Sequence, residues 1–575
     1  MTRFLSGMLF AVCALIGVSG QAVAGAPAKC PRPAAQSEVT RPPDIYSQNG
    51  SIDIAMNYYT EMDATGRTLF CFVTSDGIES PTLHVNPGDH INITLTNMVP
   101  ATPGGRSMVM SNDGNTCGNA VQTDESVNMH FHGTNTSPTC HSDEVIHTLV
   151  NSGETFHYHL RIPADEPPGL YWYHPHVHGI SSIALQGGAT GAIEVEGIAN
   201  VQPAVAGLTE RYLVLRDQQN TGDVAHASGL AAVPNWDISI NYVPVDFPYY
   251  KPAIIKMQQG SREFWRVVNA GANTIMDLQV LYDGVPQPLQ IVAFDGVPTG
   301  SKNGHHQGTI VTQTDILMAP SARAEFIVAA PGPDVKTAQF VTLGIDGGPA
   351  ADANPGRPFA NIVTTTAPLN LAKAAAPTGV AKKMRFDDLA NAKVTTHRDL
   401  YFSEYFQSFG GHETEKVDFF LTVDGQKEVL FDPSNPPAIT TTRGAVEEWR
   451  LENRTQELHE FHMHQIHFLV TAINDVPIPK EKQQLYDVFQ VPYWEGPGHP
   501  YPSITTKMDF RGPTVGDFVY HCHILDHEDF GMMAIIRVLP KDKDAAKKKP
   551  GHEARLVKPG KQAVKQAQAS SRHAS

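Results

Sequence analysis

The stretch PAITTTRGAVEEWRLEN at residues 437–453 has the pattern of a short strand, a turn at Gly444 and an alternating strand that ends at Asn453. The same pattern occurs as PAIIKMQQGSREFWRVVN at residues 252–269 and as PTLHVNPGDHINITLTN at residues 81–97. The copies are 171 and 185 residues apart, which gives each copy one β-sandwich domain. The repeats therefore predict an all-β protein with three consecutive sandwiches.

Domain boundaries follow from shifts in composition around the repeats. We expect domains at residues 40–198, 206–370 and 385–540, followed by a basic, disordered tail at 541–575. Residues 25–540 carry a net charge of −24, whereas the tail carries +7. A body this acidic repels phosphate backbones, so a nucleic-acid partner for the core is excluded.

The first 24 residues are typical of a secretory signal peptide. Arg3 is their only charge, the following run is largely apolar, and Ala22-Val23-Ala24 supplies a small-residue cleavage pattern. A membrane anchor is the alternative interpretation of this run. No later segment approaches the roughly 18 apolar residues of a transmembrane span. We therefore expect an exported protein that is periplasmic or secreted.

Four cysteines in the N-terminal quarter predict two disulfides in an oxidising compartment. Three pairings are possible, and proximity in the sequence favours Cys30–Cys71 and Cys117–Cys140. Cys522 is left over between two histidines, and a spare thiol in such a compartment needs a purpose.

Ten of the 26 histidines fall into four compact motifs: HFH at 130–132, HPH at 174–176, HEFHMH at 459–464 and HCHILDH at 521–527. Alternate side chains of a strand share a face, so each His-x-His pair projects two imidazoles in the same direction. Four such pairs give eight imidazoles. Imidazole suits copper, zinc, iron or nickel, so the histidines alone do not name the metal.

Cys522 indicates which metal binds. It points to the face opposite its two histidine neighbours, away from the eight-histidine cluster. One thiolate, the imidazoles of His459 and His527 and the thioether of Met532 form the ligand set of a blue copper electron-transfer site. The peptide chain would link this site directly to the other cluster.

In order and spacing, the four motifs resemble those of the three-domain multicopper oxidases, which include laccases, bilirubin oxidases, ascorbate oxidase and bacterial cuprous oxidases. The resemblance covers residues 39–540 and implies three cupredoxin-like Greek-key β-sandwiches with four copper ions. By this resemblance a type 1 copper takes His459, Cys522 and His527, with Met532 as axial ligand. A type 2 copper takes His130 and His462. The type 3 pair takes His132, His174, His176, His464, His521 and His523.

The middle repeat provides an internal control. Counted from Asn269 as from Asn453, the positions of the third motif's histidines hold Ile275, Leu278 and Val280. The pattern persists there without the ligands, as expected of the copper-free spacer domain of this family.

The resemblance implies oxidation of a reducing substrate one electron at a time, coupled to four-electron reduction of dioxygen to water. Such a reaction consumes protons, and Asp143 and Glu528 are the candidate catalytic carboxylates. Two residues beside the expected site of electron entry depart from the family pattern. Glu460 stands where many relatives have proline, and Gln465 begins a run that in the family is led by glycine.

Three functions remain open. Laccase-like oxidation of phenols or aromatic amines is the leading hypothesis. Oxidation of Cu(I) or Fe(II) is the second, and an acidic cluster of Glu460, Asp526 and Asp529 near the blue copper would favour cations. The third is a non-catalytic copper-binding envelope protein. We expect a monomer whose partners are dioxygen and a small-molecule or metal-ion reductant.

Overall fold

The structure is a computed structural model that describes residues 28–102, 116–118, 121–220, 233–301, 308–376, 385–386, 388–407 and 416–541. The predicted signal peptide at 1–24 and the predicted tail beyond Lys541 lie outside these residues, so both stay predictions.

The described residues of the first sandwich form nine strands and a short helix. They are β1 (Asp44–Tyr46), β2 (Ser51–Met62), β3 (Thr68–Thr74), β4 (Thr82–Val85), β5 (His90–Asn97), β6 (His130–His132), β7 (Thr155–Arg161), β8 (Gly169–His174), α1 (Ser181–Gln186) and β9 (Gly191–Val195). One sheet has the order β1-β4-β9-β8-β6 and the other β3-β2-β5-β7. Alternation along β5 buries Ile91, Ile93 and Leu95 between the sheets.

The middle sandwich follows two short 3₁₀ helices at Ile198–Asn200 and Pro203–Val205. Its strands are β10 (Thr209–Gln219), β11 (Trp236–Ile240), β12 (Val243–Val245), β13 (Ala253–Gln258), β14 (Arg262–Asn269), β15 (Met276–Tyr282), β16 (Val285–Pro286), β17 (Leu289–Phe294), β18 (Val297–Pro298), β19 (Val311–Gln313), β20 (Ile316–Met318), β21 (Arg323–Ala329), β22 (Ala338–Leu343) and β23 (Arg357–Thr365). The two sheets are ordered β12-β11-β10-β14-β21-β17-β18, with β19 on β17, and β13-β23-β22-β15-β16, with β20 on β15.

The third sandwich follows a 3₁₀ helix at Leu389–Asn391. Its elements are β24 (Thr396–Gln407), β25 (Lys416–Val423), β26 (Ile439–Thr442), β27 (Val446–Asn453), β28 (His459–Met463), β29 (Phe468–Ile473), β30 (Val476–Pro477), β31 (Leu485–Tyr486), β32 (Val488–Val491), β33 (Ser503–Asp509), β34 (Gly516–Cys522), α2 (Leu525–Asp529) and β35 (Met533–Leu539). Its sheets are ordered β25-β24-β27-β33-β29-β30, with β31 on β29, and β26-β35-β34-β28-β32.

One strand order recurs three times, as β4-β9-β8-β6, β13-β23-β22-β15 and β26-β35-β34-β28. Each repeated sequence pattern forms the first strand of this order and then crosses to the opposite sheet, as β4 to β5, β13 to β14 and β26 to β27. At the third crossing Gly444 has φ +104°, a conformation that L side chains rarely adopt. The predicted all-β fold of three consecutive sandwiches is confirmed, while the residue limits of the domains stay predictions.

Covalent and ionic contacts fix the sandwiches. Cys30 pairs with Cys71 and Cys117 with Cys140, so the favoured disulfide pairing is confirmed. At the junction of the first and middle sandwiches, the buried guanidinium of Arg266 donates to carboxylates on both sides, at 2.5–2.6 Å from Glu194, Glu210 and Glu325. Among the described residues, no helix is long and apolar enough to cross a membrane.

Candidate metal centres

Eight buried histidines meet where the first and third sandwiches touch. In the first sandwich β6 pairs with β8, so that His130 lies opposite His174. In the third, β28 pairs with β34, so that His462 lies opposite His521. The remaining members lie on the same short strands or within two residues of their ends: His132, His176, His464 and His523.

The ring nitrogens of this cluster converge in sets of three, in which the ligand atoms lie within 4.8 Å of one another. The sets are His130, His132 and His462; His132, His174 and His523; and His176, His464 and His521. In the last set Nε2 of His521 lies 3.3 Å from Nε2 of His176 and 3.2 Å from Nε2 of His464. Nε2 of His174 faces Nδ1 of His132 at 3.4 Å.

A second, smaller group lies inside the third sandwich. Sγ of Cys522 is 3.7 Å from Nδ1 of both His459 and His527, and these two nitrogens are 3.1 Å apart. Met532 is buried beside them, because its carbonyl accepts the N–H of Cys522 and its own N–H donates to the carbonyl of His527. Met533 packs in a different cluster with Val519.

The hydrogen bonding of the clustered ring nitrogens leaves several of them available to a metal ion. Nε2 of His130, Nε2 of His462 and both ring nitrogens of His523 are buried without a hydrogen-bond partner in the described structure. Burial and the neighbouring imidazoles hold the pKa of His462 and His523 well below the usual range, so these rings are neutral and could bind a metal ion. Burial raises the pKa of the Cys522 thiol, so a thiolate there requires a cation beside it.

Two sequence profiles, both described as multicopper oxidase, match this chain at residues 108–199 and 403–542. These segments carry all four histidine motifs. Over these two segments the chain matches the multicopper oxidase family.

Sequence similarity to curated members is confined to part of the chain. The multicopper oxidase mco of Staphylococcus haemolyticus is 31% identical over 122 residues, which are 20% of this chain and 24% of that protein. The match thus spans about a quarter of that relative's length. A rice multicopper oxidase, LPR1 homolog 1, is 23% identical over 439 residues, covering 66% of this chain and 68% of that protein.

Solved structures match the fold over most of the chain. McoA from Aquifex aeolicus aligns with a TM-score of 0.60 at 18% identity, over 88% of this chain and all of that one. A Campylobacter jejuni multicopper oxidase described as a metallo-oxidase has a TM-score of 0.58 at 17% identity, covering 89% and 96%. A laccase-like oxidase from Ochrobactrum has 0.58 at 16%, covering 87% and 100%. The predicted cupredoxin-like fold is confirmed.

Both predicted carboxylates lie behind histidines of the eight-histidine cluster. Asp143 is buried, and its Oδ1 accepts from Nδ1 of His130 at 2.9 Å while its Oδ2 accepts from Gln465 at 2.5 Å. Glu528 is buried, with one oxygen 3.8 Å from Nδ1 of His176 and the other 3.6 Å from Nδ1 of His521. Each carboxylate therefore contacts histidine ring nitrogens that face away from the centre of the cluster.

A cavity of about 510 Å³ opens beside His527, between the middle and third sandwiches. Phe406, Phe419, Ile275 and Ile345 contribute to its apolar lining. Its acidic lining residues are Asp352, Glu457 and Asp526.

The expected acidic cluster of Glu460, Asp526 and Asp529 is wrong. Glu460 is fully buried, and Asp529 accepts N–H groups of residues 179–182, so only Asp526 lines the cavity. Strand alternation explains the error for Glu460, which shares a face of β28 with His462 rather than with His459.

Sequence reasoning missed an acid that lies beside His527, at the edge of the cavity. Oε1 of Glu457 is 3.4 Å from Nε2 of His527, and Glu457 also hydrogen-bonds with Glu404, which lies 3.1 Å from Nε2 of His459. Burial, with Glu404 adding to it, raises the pKa of Glu457 to about 10. Its position two residues before the third motif was the available signal.

Proposed function

We propose that this protein is a copper-dependent oxidase that couples one-electron oxidation of a reducing substrate to four-electron reduction of dioxygen to water. The supporting observation is the segment His521-Cys522-His523, in which the thiol belongs to the three-ligand group and both imidazoles belong to the eight-histidine cluster. This gives a continuous covalent path through adjacent residues between the two centres. When bound, copper supplies the one-electron chemistry and the reaction with dioxygen.

The proposal assigns four copper ions. His459, Cys522 and His527 would hold the type 1 ion, with Met532 as axial ligand. His130 and His462 would hold the type 2 ion. The type 3 pair would take His132, His174, His176, His464, His521 and His523. The convergent sets of ring nitrogens support this division.

Two carboxylates would serve the reduction of dioxygen. Glu528 accepts from Ser181 Oγ at 3.4 Å and contacts two ligand histidines, so it can deliver protons to the cluster. Asp143 holds His130 by a direct hydrogen bond and fixes which ring nitrogen faces inward.

The cavity beside His527 favours an aromatic substrate. Its volume of about 510 Å³ and its phenylalanine lining suit a phenol or aromatic amine. The laccase-like description of the Ochrobactrum neighbour is consistent with this choice. A metal-ion substrate, Cu(I) or Fe(II), is the second candidate. It is favoured by Asp352 and Asp526 in the same cavity and is consistent with the metallo-oxidase description of the Campylobacter neighbour.

Export of the protein is part of the proposal. The signal-like first 24 residues and the two disulfides support a periplasmic or secreted location.

Oxygen consumption by copper-reconstituted protein tests the function. A phenolic dye, Cu(I) and Fe(II) are supplied separately as reductants, and the ratio of dioxygen consumed to electrons donated is measured. We expect turnover at one dioxygen per four electrons, fastest with the phenol. Copper binding without turnover of any reductant would instead identify a copper-binding envelope protein.

A further inference from the structure

The middle sandwich reaches the eight-histidine cluster through one buried ion pair. Arg323 is the first residue of β21 in that sandwich. Its guanidinium donates two parallel hydrogen bonds to the carboxylate of Asp487 in the third sandwich, from Nη1 to Oδ1 at 2.8 Å and from Nη2 to Oδ2. Both side chains are about 1% exposed or less. A fork-to-fork pair of this kind fixes the orientation of the carboxylate.

Asp487 contacts two of the proposed copper ligands. Its Oδ1 lies 3.3 Å from Nε2 of His132, and its main-chain carbonyl accepts from Nδ1 of His462 at 2.7 Å. In each ring one nitrogen therefore contacts an oxygen of Asp487, and the other nitrogen faces the cluster. A hydrogen bond to one ring nitrogen sets the tautomer and leaves the lone pair of the other free for metal.

The backbone next to His132 leaves room for this pair. Gly133 has φ +81°, and a Cβ at this position would collide with Arg323, Asp487 and Tyr171. A second acid completes the support: Asp295 accepts the N–H of Arg323 at 2.9 Å and the N–H of Asp487 at 3.2 Å. The ion pair is therefore held from both main chains.

We propose that Arg323 is a positioning residue for the eight-histidine cluster. It holds the Asp487 carboxylate on the Nε2–H of His132, so that this ring presents Nδ1 to the type 3 copper. This inference rests on the proposed function, and it gives the middle sandwich a part in the centre although it supplies no ligand.

The experiment compares Arg323→Met, Arg323→Lys and Asp487→Asn with a matched control, Arg266→Met. Arg266 is an equally buried arginine between sandwiches, but its partners Glu194, Glu210 and Glu325 are not proposed copper ligands. Full-length protein is reconstituted with copper and dialysed against graded chelator. Copper per chain is then counted by atomic absorption, blue absorption reports the Cys522 site, and thermal unfolding of the metal-free proteins reports stability.

We expect Arg323→Met and Asp487→Asn to release copper from the eight-histidine cluster at roughly 10- to 100-fold lower chelator concentration, with the blue absorption retained. Arg323→Lys should lie between these variants and wild type, because lysine cannot form the two-pronged pair. Arg266→Met should lose stability when metal-free and retain copper as wild type does.

Three results would overturn the inference. One is wild-type copper retention in Arg323→Met. Another is copper loss in Arg266→Met that matches its loss of stability, since the effect would then be structural. If Arg323→Met does not fold, wild-type retention in Asp487→Asn has the same meaning. A wild-type protein that binds no copper at the cluster contradicts the proposed function itself, whereas full retention in every variant contradicts this inference alone.

Discussion

The two proposed metal centres of this protein are built in different ways. The residues of the Cys522 site all come from the third sandwich, from His459 on β28 to Met532 just before β35, and they lie in its own core. The eight-histidine cluster takes half of its histidines from the first sandwich and half from the third. Its supporting pair of Arg323 and Asp487 adds the middle one.

This difference predicts which centre depends on the whole chain. A site inside one packed core keeps its geometry as long as that sandwich is folded. A site between sandwiches depends also on the contacts that hold them together. Damage to one centre should therefore leave the other in place, and each prediction below tests that separation.

Cys522→Ser should have the largest effect. It removes the thiolate of one centre but leaves His521 and His523 facing the other, so blue absorption and oxidation of a phenol should be lost completely while copper in the eight-histidine cluster is retained. Absorption spectra, copper counts and dye oxidation measure this. Near wild-type turnover of a phenol would contradict the assignment of Cys522 as the point where electrons enter.

Glu528→Gln should slow the reaction at the eight-histidine cluster by about 10²-fold, the lower range for loss of a proton-transferring group. Glutamine keeps the shape and the contact with Ser181, so copper content and blue absorption should not change. Stopped-flow reoxidation of fully reduced enzyme by dioxygen measures the effect, with reduction by substrate as the internal control. An unchanged reoxidation rate across pH would remove Glu528 from the proton path.

The success of the sequence predictions follows from the physics of strands. Ligand identity and alternation are local properties, so the eight-histidine cluster, the opposite face of Cys522 and the three sandwiches could all be read from the chain. The same alternation, applied to β28, would have put Glu460 on the face of His462.

Contacts between distant segments were not accessible in this way. Arg323 and Asp487 are 164 residues apart and belong to different sandwiches, and neither lies in a motif. Likewise, no local signal connects Asp352 to the cavity beside His527, because that cavity exists only where the middle and third sandwiches meet.

Asp526→Asn tests the substrate end of the Cys522 site, where Asp526 lines the cavity. If cations bind in the cavity, loss of this charge should raise the KM for Fe(II) by roughly tenfold, or about 1.4 kcal/mol, while phenol oxidation changes less. Steady-state kinetics with both reductants measure the change, and Asp517→Asn, at a carboxylate paired with Arg537 on the protein surface, serves as control. Equal effects on both reductants would show that Asp526 acts on the neighbouring His527 rather than on the substrate.

Met532→Leu should have the smallest effect, confined to the Cys522 site. A thioether donates weakly to copper and favours the oxidised ion, whereas leucine donates nothing, so the reduction potential should rise. The swap nearly conserves volume and should cost less than about 1.5 kcal/mol in stability. Where substrate oxidation limits turnover, high-potential phenols should then be oxidised faster. Met533→Leu is the matched control, because Met533 packs with Val519 in a separate cluster. A redox titration that shifts in Met533→Leu and not in Met532→Leu would identify Met533 as the axial ligand.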